Sequence, residues 1–292
     1  MLDIEYYRDF EYGNLYFRRP MIEQILSLSS EQKAKLYALL RDNYKQENRF
    51  YKYDFFYDNC ATRVRDILEN TLDGNLSYNT AAAEDGITMR QLLHKYLPAK
   101  PWLGFGIDLI LGIPADKKAS VRDYMFLPDY LYLFLGKSAT SDGKPVTLQE
   151  RMIPAGGVYP PLSKAGIITP PLIVTTLVSL TGLFFLFREK GRKYFDAAFW
   201  IILGIGGVII TLLWFATDHT ATKINLNLFW ILPTHLALPF LKSSRLKTRY
   251  LYFTGVTAAV LLAGWYWLPQ QLPVEIIPIL ILITIKTLLF RQ

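Results

Sequence analysis

The chain has one cysteine, Cys60, and three histidines, His94, His219 and His235. A lone cysteine excludes an intrachain disulfide and any cysteine-clustered metal site. Three widely spaced histidines argue against a zinc centre, whose ligands must converge on one ion. No metal and no organic cofactor is therefore expected. Acids are scarce in one half only: residues 166–292 hold four Asp/Glu against 11 Lys/Arg, while residues 1–165 hold 21 of each. The formal charge of +7 thus belongs to the second half. Nucleic-acid binders carry a basic, aromatic-interleaved patch on a folded domain. The neutral first half excludes nucleic acid as the expected partner. The opening "MLDIEYYRDFEYGNLYF" has neither the basic n-region nor the apolar stretch of a signal peptide.

Long charge-free runs are abundant in the second half. Residues 167–187 and 197–216 carry no charge, 224–241 and 250–268 follow, and 274–290 holds Glu275 and Lys286 near its ends. Each approaches the ~20 residues that cross a ~30 Å hydrocarbon core, so five transmembrane helices are expected. Buried helices of a soluble domain would show polar faces that these runs lack. The loops "REKGRK" (188–193) and "KSSRLKTR" (242–249) have four basic residues each, whereas "TDHTATK" (217–223) and "PQQLP" (269–273) have one between them. Basic loops stay cytoplasmic. The expected organisation is an external domain over 1–165 and a membrane domain over 166–292, with the C-terminus cytoplasmic. An external domain needs export, so the chain is expected to be processed or to start inside a longer gene product.

In the first half, "GNLYFRR" (13–19) reads as a short strand. "SLSSEQKAKLYALLRDNY" (27–44) reads as a helix with Ser29 and Gln32 as a capping box and Leu36, Leu39 and Leu40 on one face. A third helix fits "TMRQLLHKYL" (88–97), with His94 on a solvated face. "WLGFGIDLILGIP" (102–114) is too short to span a bilayer; it rests on the membrane surface or forms a core helix. "MFLPDYLYLFL" (125–135) looks similar, and "MIPAGGVYPPLSKAG" (152–166) is a linker. Internal repeats are absent.

The chemistry centres on "YDFFYDNCATRVRDILEN" (53–70). Asn59 caps a helix whose first turn holds Cys60, with Val64, Ile67 and Leu68 as the expected buried stripe. Unpaired N–H groups and the positive dipole end stabilise a thiolate there, and the thiolate is the nucleophile. Arg63 adds positive charge one turn on. Asp58 opposes it unless it turns away to cap. The alternative is a buried structural thiol, because free cysteine is among the most buried residue types.

The wording of this stretch resembles the external-domain signature of the Lnb-type lipoprotein N-acyltransferases. "PWLGFGIDLILGIPADKKA" (101–119), "MFLPDYL" (125–131) and "TDHTATKINLNLFWILP" (217–233) resemble the same family, so the likeness covers most of the chain. The resemblance implies an α+β fold: a partial, permuted papain-like (NlpC/P60-like) domain followed by an all-α domain of five transmembrane helices. The Asn-Cys opening is similar to that of lecithin:retinol acyltransferase. The implied reaction moves an acyl chain from a phospholipid donor, through a Cys60 thioester, to the α-amine of a diacylglyceryl-modified lipoprotein in the bacterial inner membrane.

The family pattern places a histidine upstream of the cysteine, and here none precedes Cys60. His219, beside Asp218, can act as a base with its orienter, bind a headgroup, or end a helix. Asn225 and Asn227 bind headgroup atoms or cap the third span. His235 packs or hydrogen-bonds between helices. Asp108 is a third catalytic group or a surface carboxylate. The rival readings are an envelope cysteine peptidase or amidase of the NlpC/P60 kind, and a catalytically inactive membrane-bound binding protein.

Overall fold

The computed structural model describes residues 4–155, 168–242 and 244–289. In chain order the elements are α1 (Tyr7–Tyr16), β1 (Met21–Leu26), α2 (Ser30–Tyr44), α3 (Cys60–Thr71), α4 (Met89–His94), α5 (Pro101–Ile110) and α6 (Val121–Tyr124). There follow α7 (Pro128–Gly136), β2 (Thr147–Ile153), α8 (Pro170–Leu186), α9 (Glu189–Phe215), α10 (Ser244–Ala263) and α11 (Ile277–Thr284). They divide into two compact units, one of residues 1–87 and 118–161, the other of 88–117 and 162–292. Residues 88–117 therefore pack with the C-terminal unit, a grouping that the hydropathy boundary at 165 does not suggest. That boundary and most of the expected linker lie outside the described residues.

The first unit is mixed helical with one two-stranded sheet. β1 and β2 pair antiparallel, Met21 opposite Ile153 and Leu26 opposite Thr147, with a register shift between Ile25 and Leu26. The strand expected at 13–19 is instead the last turn of α1 and the turn that follows it. Tyr12 and Tyr16 stack with ring centroids 6.5 Å apart, the neighbour relation of residues four apart on a helix. α2 has the capping box expected of Ser29 and Gln32, but its Leu40 is exposed. On α3 the buried row is Ala61, Arg65, Leu68 and then Leu72. Leu68 and Leu72 pack with Leu135 of α7 and with Val146. Of the expected stripe Leu68 is buried, whereas Val64 is exposed and Ile67 half-buried, with Ala61 and Arg65 taking their place.

In the second unit, α9 is long and apolar enough to cross a membrane, and α8 is a shorter apolar helix. Both are apolar inward and outward: Phe199, Trp200 and Ile210 of α9 are buried, while Ile202, Ile205 and Leu212 are exposed. A helix apolar all round suits a lipid environment. The expected span at 224–241 forms no α-helix. It is two 3-10 segments, Leu226–Phe229 and Pro233–Phe240, because Pro233 and Pro239 each remove an N–H donor. The second segment lies along α9 at its glycines: a Cβ on Gly204 would stand 2.6 Å from the Leu236 nitrogen, and one on Gly207 2.5 Å from the Pro233 nitrogen. α10 starts upstream of the expected 250, within the basic loop. α11 continues as a π-turn at Ile285–Leu289, and the expected end at residue 290 lies outside the described residues. His235 is wholly buried, with Nε2 3.0 Å from the Trp230 carbonyl and Nδ1 2.9 Å from the Tyr250 hydroxyl, the helix–helix role expected of it.

Candidate functional site

Cys60 is the first residue of α3 and is exposed. The helix begins there because Asn59 is a complete cap. Its Oδ1 accepts from Thr62 N at 2.9 Å, and its own N–H donates to Thr62 Oγ1 at 2.8 Å. Asn59 Nδ2 also donates to the carbonyls of Phe55 and Phe126, each at 2.9 Å. These bonds tie the start of α3 to the turn before it and to the chain before α7. Thr62 and Arg63 use their N–H groups within the cap. Among the described residues, those of Cys60 and Ala61 carry no partner and point out of the helix start.

Asp58 does not cap. Arg63 Nε donates to its Oδ1 at 2.6 Å and Nη2 to its Oδ2 at 2.8 Å, so the charge expected to assist the thiol is shared with a carboxylate. The same guanidinium sits 3.9 Å from the centroid of Tyr51. Around the thiol is a cavity of about 260 Å³ lined by Asn43, Asn48, Arg49, Tyr51, Arg63, Val64 and Ile67. Val64 and Ile67 form an apolar wall one and two turns from Cys60. Burial first, then the charge of Cys60, pushes the Tyr53 phenol above its ordinary value. Sequence reasoning missed Asn43, Asn48, Arg49 and Tyr51. They belong to the end of α2 and the loop after it, where no periodicity ties them to the cysteine.

The second unit holds all three histidines. His219 follows α9 and starts the 3-10 turn Thr220–Thr222, half-buried beside an exposed Asp218. Its carbonyl accepts from the Thr222 hydroxyl at 3.1 Å. Asn225 and Asn227 are buried and both donate to the Leu109 carbonyl, at 2.8 and 3.0 Å. Gln270 adds a bond to the Leu111 carbonyl at 2.9 Å. Together they satisfy the last carbonyls of α5, the groups a helix end leaves open. Gly112 brings the chain closer still, since a Cβ there would lie 1.9 Å from the Lys223 carbonyl oxygen.

His94 is not simply on a solvated face. Its Nε2 lies 2.9 Å from Asp108 Oδ1. Arg90, wholly buried, donates to the same Asp108 oxygen at 2.9 Å and to both oxygens of Asp116, at 2.9 and 3.0 Å. Burial works to lower the Arg90 pKa, yet the two carboxylates hold it above its ordinary value. Burial likewise pushes the Asp116 carboxyl up even with Arg90 against it. Asp108 is thus a buried, fixed carboxylate that orients a half-exposed imidazole. Among the described residues no group of three or more His, Cys, Asp or Glu could hold a metal ion.

Residues 2–95 match the Lnb N-terminal periplasmic domain and residues 163–291 match the Lnb transmembrane domain. The two matches cover about three quarters of the chain. Comparison with curated proteins and with solved structures finds no match.

Proposed function

The chain belongs to the Lnb-type family, and from that premise we propose that it is a lipoprotein N-acyltransferase working through a Cys60 thioester. A periplasmic domain joined to a transmembrane domain suits substrates whose tails lie in the bilayer. The observation that carries the reading is the exposed thiol at the first turn of a fully capped helix, where the N–H groups of Cys60 and Ala61 have no partner among the described residues. Those two donors suit the oxyanion that forms when a thiolate adds to an ester carbonyl.

The reaction is ping-pong. The Cys60 sulfur attacks the ester carbonyl of a phospholipid, the C–O bond breaks, and the lysophospholipid leaves with the proton. The α-amine of a diacylglyceryl-modified lipoprotein then attacks the thioester. The C–S bond breaks, and the proton that the nitrogen gives up passes to the sulfur, which restores the thiol. Val64 and Ile67 offer an apolar wall to the acyl chain while it is bound to sulfur. The membrane is the bacterial inner membrane, crossed several times, with the basic loops and the C-terminus on the cytoplasmic side.

Intact-protein mass spectrometry after incubation with phospholipid tests this. An acyl-sized increment that hydroxylamine removes and that Cys60→Ser lacks is the expected result. An increment that persists in Cys60→Ser, or none in either protein, overturns it. A second reading, a lipid-binding protein without catalysis, draws on the fact that the unit with Cys60 contains none of the three histidines. Phospholipid binding without an increment selects that reading.

A further inference from the structure

A cavity of about 250 Å³ in the C-terminal unit is lined by His94, Asp108, Thr169 and Glu275, with Phe105 on one wall. Its chemistry is anionic. Asp108 shares Arg90 with Asp116, so one guanidinium faces two carboxylates. Glu275 adds a third, and its only partner among the described residues is the Thr169 hydroxyl, which donates to Oε1 at 2.9 Å. Asp108 Oδ2 and Glu275 Oε2 carry no hydrogen bond among the described residues. Among the described residues no Lys or Arg lines the cavity.

Phe105 also lines a second cavity, of about 430 Å³, walled by Leu109, Val178, Phe199, Leu203 and Ile279 among other apolar residues. The two cavities use the same elements. α5 gives Asp108 to one and Leu109 to the other, α8 gives Pro170 and Val174, and Glu275 is followed by Ile276. A small anionic chamber therefore adjoins an apolar groove that fits hydrocarbon. A ligand matching both carries a cation and a fatty chain.

We infer that this pair of cavities binds the acceptor: the protonated α-amine of a lipid-modified peptide in the His94–Asp108–Glu275 chamber, with an acyl chain in the groove. This rests on the acyltransferase reading of Cys60. An α-ammonium has three N–H donors. Asp108 Oδ2 and Glu275 Oε2 are two charged acceptors for them. A phosphatidylethanolamine headgroup also offers an ammonium, but its phosphate would enter a cavity whose described lining holds carboxylates and no Lys or Arg. The phosphate-free amine is the better match.

The test uses the full-length Cys60→Ser protein in detergent micelles and measures affinity for a short diacylglyceryl-cysteine peptide, with its α-amine free or N-acetylated. Binding is read without the thioester, so its failure and the failure of the Cys60 reading are separate results. The free amine should bind at least about tenfold more tightly, the scale of losing one charge-assisted hydrogen bond set. Glu275→Gln, which keeps a hydrogen-bond acceptor for Thr169, should remove most of that preference. Val178→Trp should weaken both peptides alike by narrowing the groove. Equal affinity of the two peptides overturns the proposal, as does an amine preference that survives Glu275→Gln. Displacement of the peptide by phosphatidylethanolamine at equal concentration also overturns it, because the site would then be a donor site.

Discussion

The Cys60 site is built almost entirely from one stretch of chain, residues 43–67, whereas the His94 cavity draws on residues 94, 108, 169 and 275. The first is open and held by local bonds: a cap three residues long and an Asp58–Arg63 pair five residues apart. The second is held by a buried guanidinium that bridges two carboxylates. A thiol that must meet a lipid ester needs access and a polarised helix start, which local sequence supplies. An oriented imidazole needs a fixed carboxylate, and that takes tertiary packing.

The contrast is sharpest in what it costs to break each side. Arg90→Ala leaves Asp108 and Asp116 buried without a cation, and should destabilise the C-terminal unit by about 3–5 kcal/mol. Hydrogen exchange over residues 108–116 reads the loss, and unchanged protection there would remove the bridge from the account. Asn59→Ala strips the cap and two bonds to carbonyls, for about 2 kcal/mol. It should also slow Cys60 acylation, since the helix start that presents the sulfur frays. Normal acylation in a folded Asn59→Ala protein would break the link between cap and chemistry.

Arg63→Ala removes a pair more than a third exposed on both sides, so chemical denaturation should register less than about 1 kcal/mol. A larger loss would mean that the cysteine site is as tightly built as the His94 cavity. The smallest effect concerns Asp142, which lines neither cavity. Hydrogen bonds from Lys144 and Thr140 lower its pKa from 3.8 to about 2. A depressed carboxylate adds stability above its unfolded pKa, and that stability is lost as pH falls through about 2. An NMR titration of the Asp142 carboxyl should give a midpoint near 2, and a midpoint near 3.8 would contradict it.

How much of this was legible depended on distance along the chain. The cap Asn59, the Cys60 position and the capping box on α2 were read directly, because capping is a three-residue signal. The apolar character of α8 and α9 was read just as directly. The stripe on α3 was right at Leu68 and wrong at the other two positions, because Val64 and Ile67 are apolar yet line a cavity, while the buried row includes Arg65. Hydropathy marked 224–241 as a span, although Asn225 and Asn227 turn the chain inward to serve α5 and two prolines break the remainder. His94 looked solvated because its partner lies 14 residues away on another helix. An isolated Asp108 within an apolar run was the one available signal, and it read as a third catalytic group or a surface carboxylate, whereas it is buried against Arg90.

The most direct test of the central claim follows one acyl chain through both half-reactions. Purified protein is loaded from phospholipid with an isotope-labelled acyl chain, freed of donor, and chased with a diacylglyceryl-cysteine peptide. The account predicts label first on Cys60 as a hydroxylamine-sensitive adduct, then on the peptide α-amine as an amide, with none in Cys60→Ser. Label that reaches the amine without passing through Cys60 would contradict it.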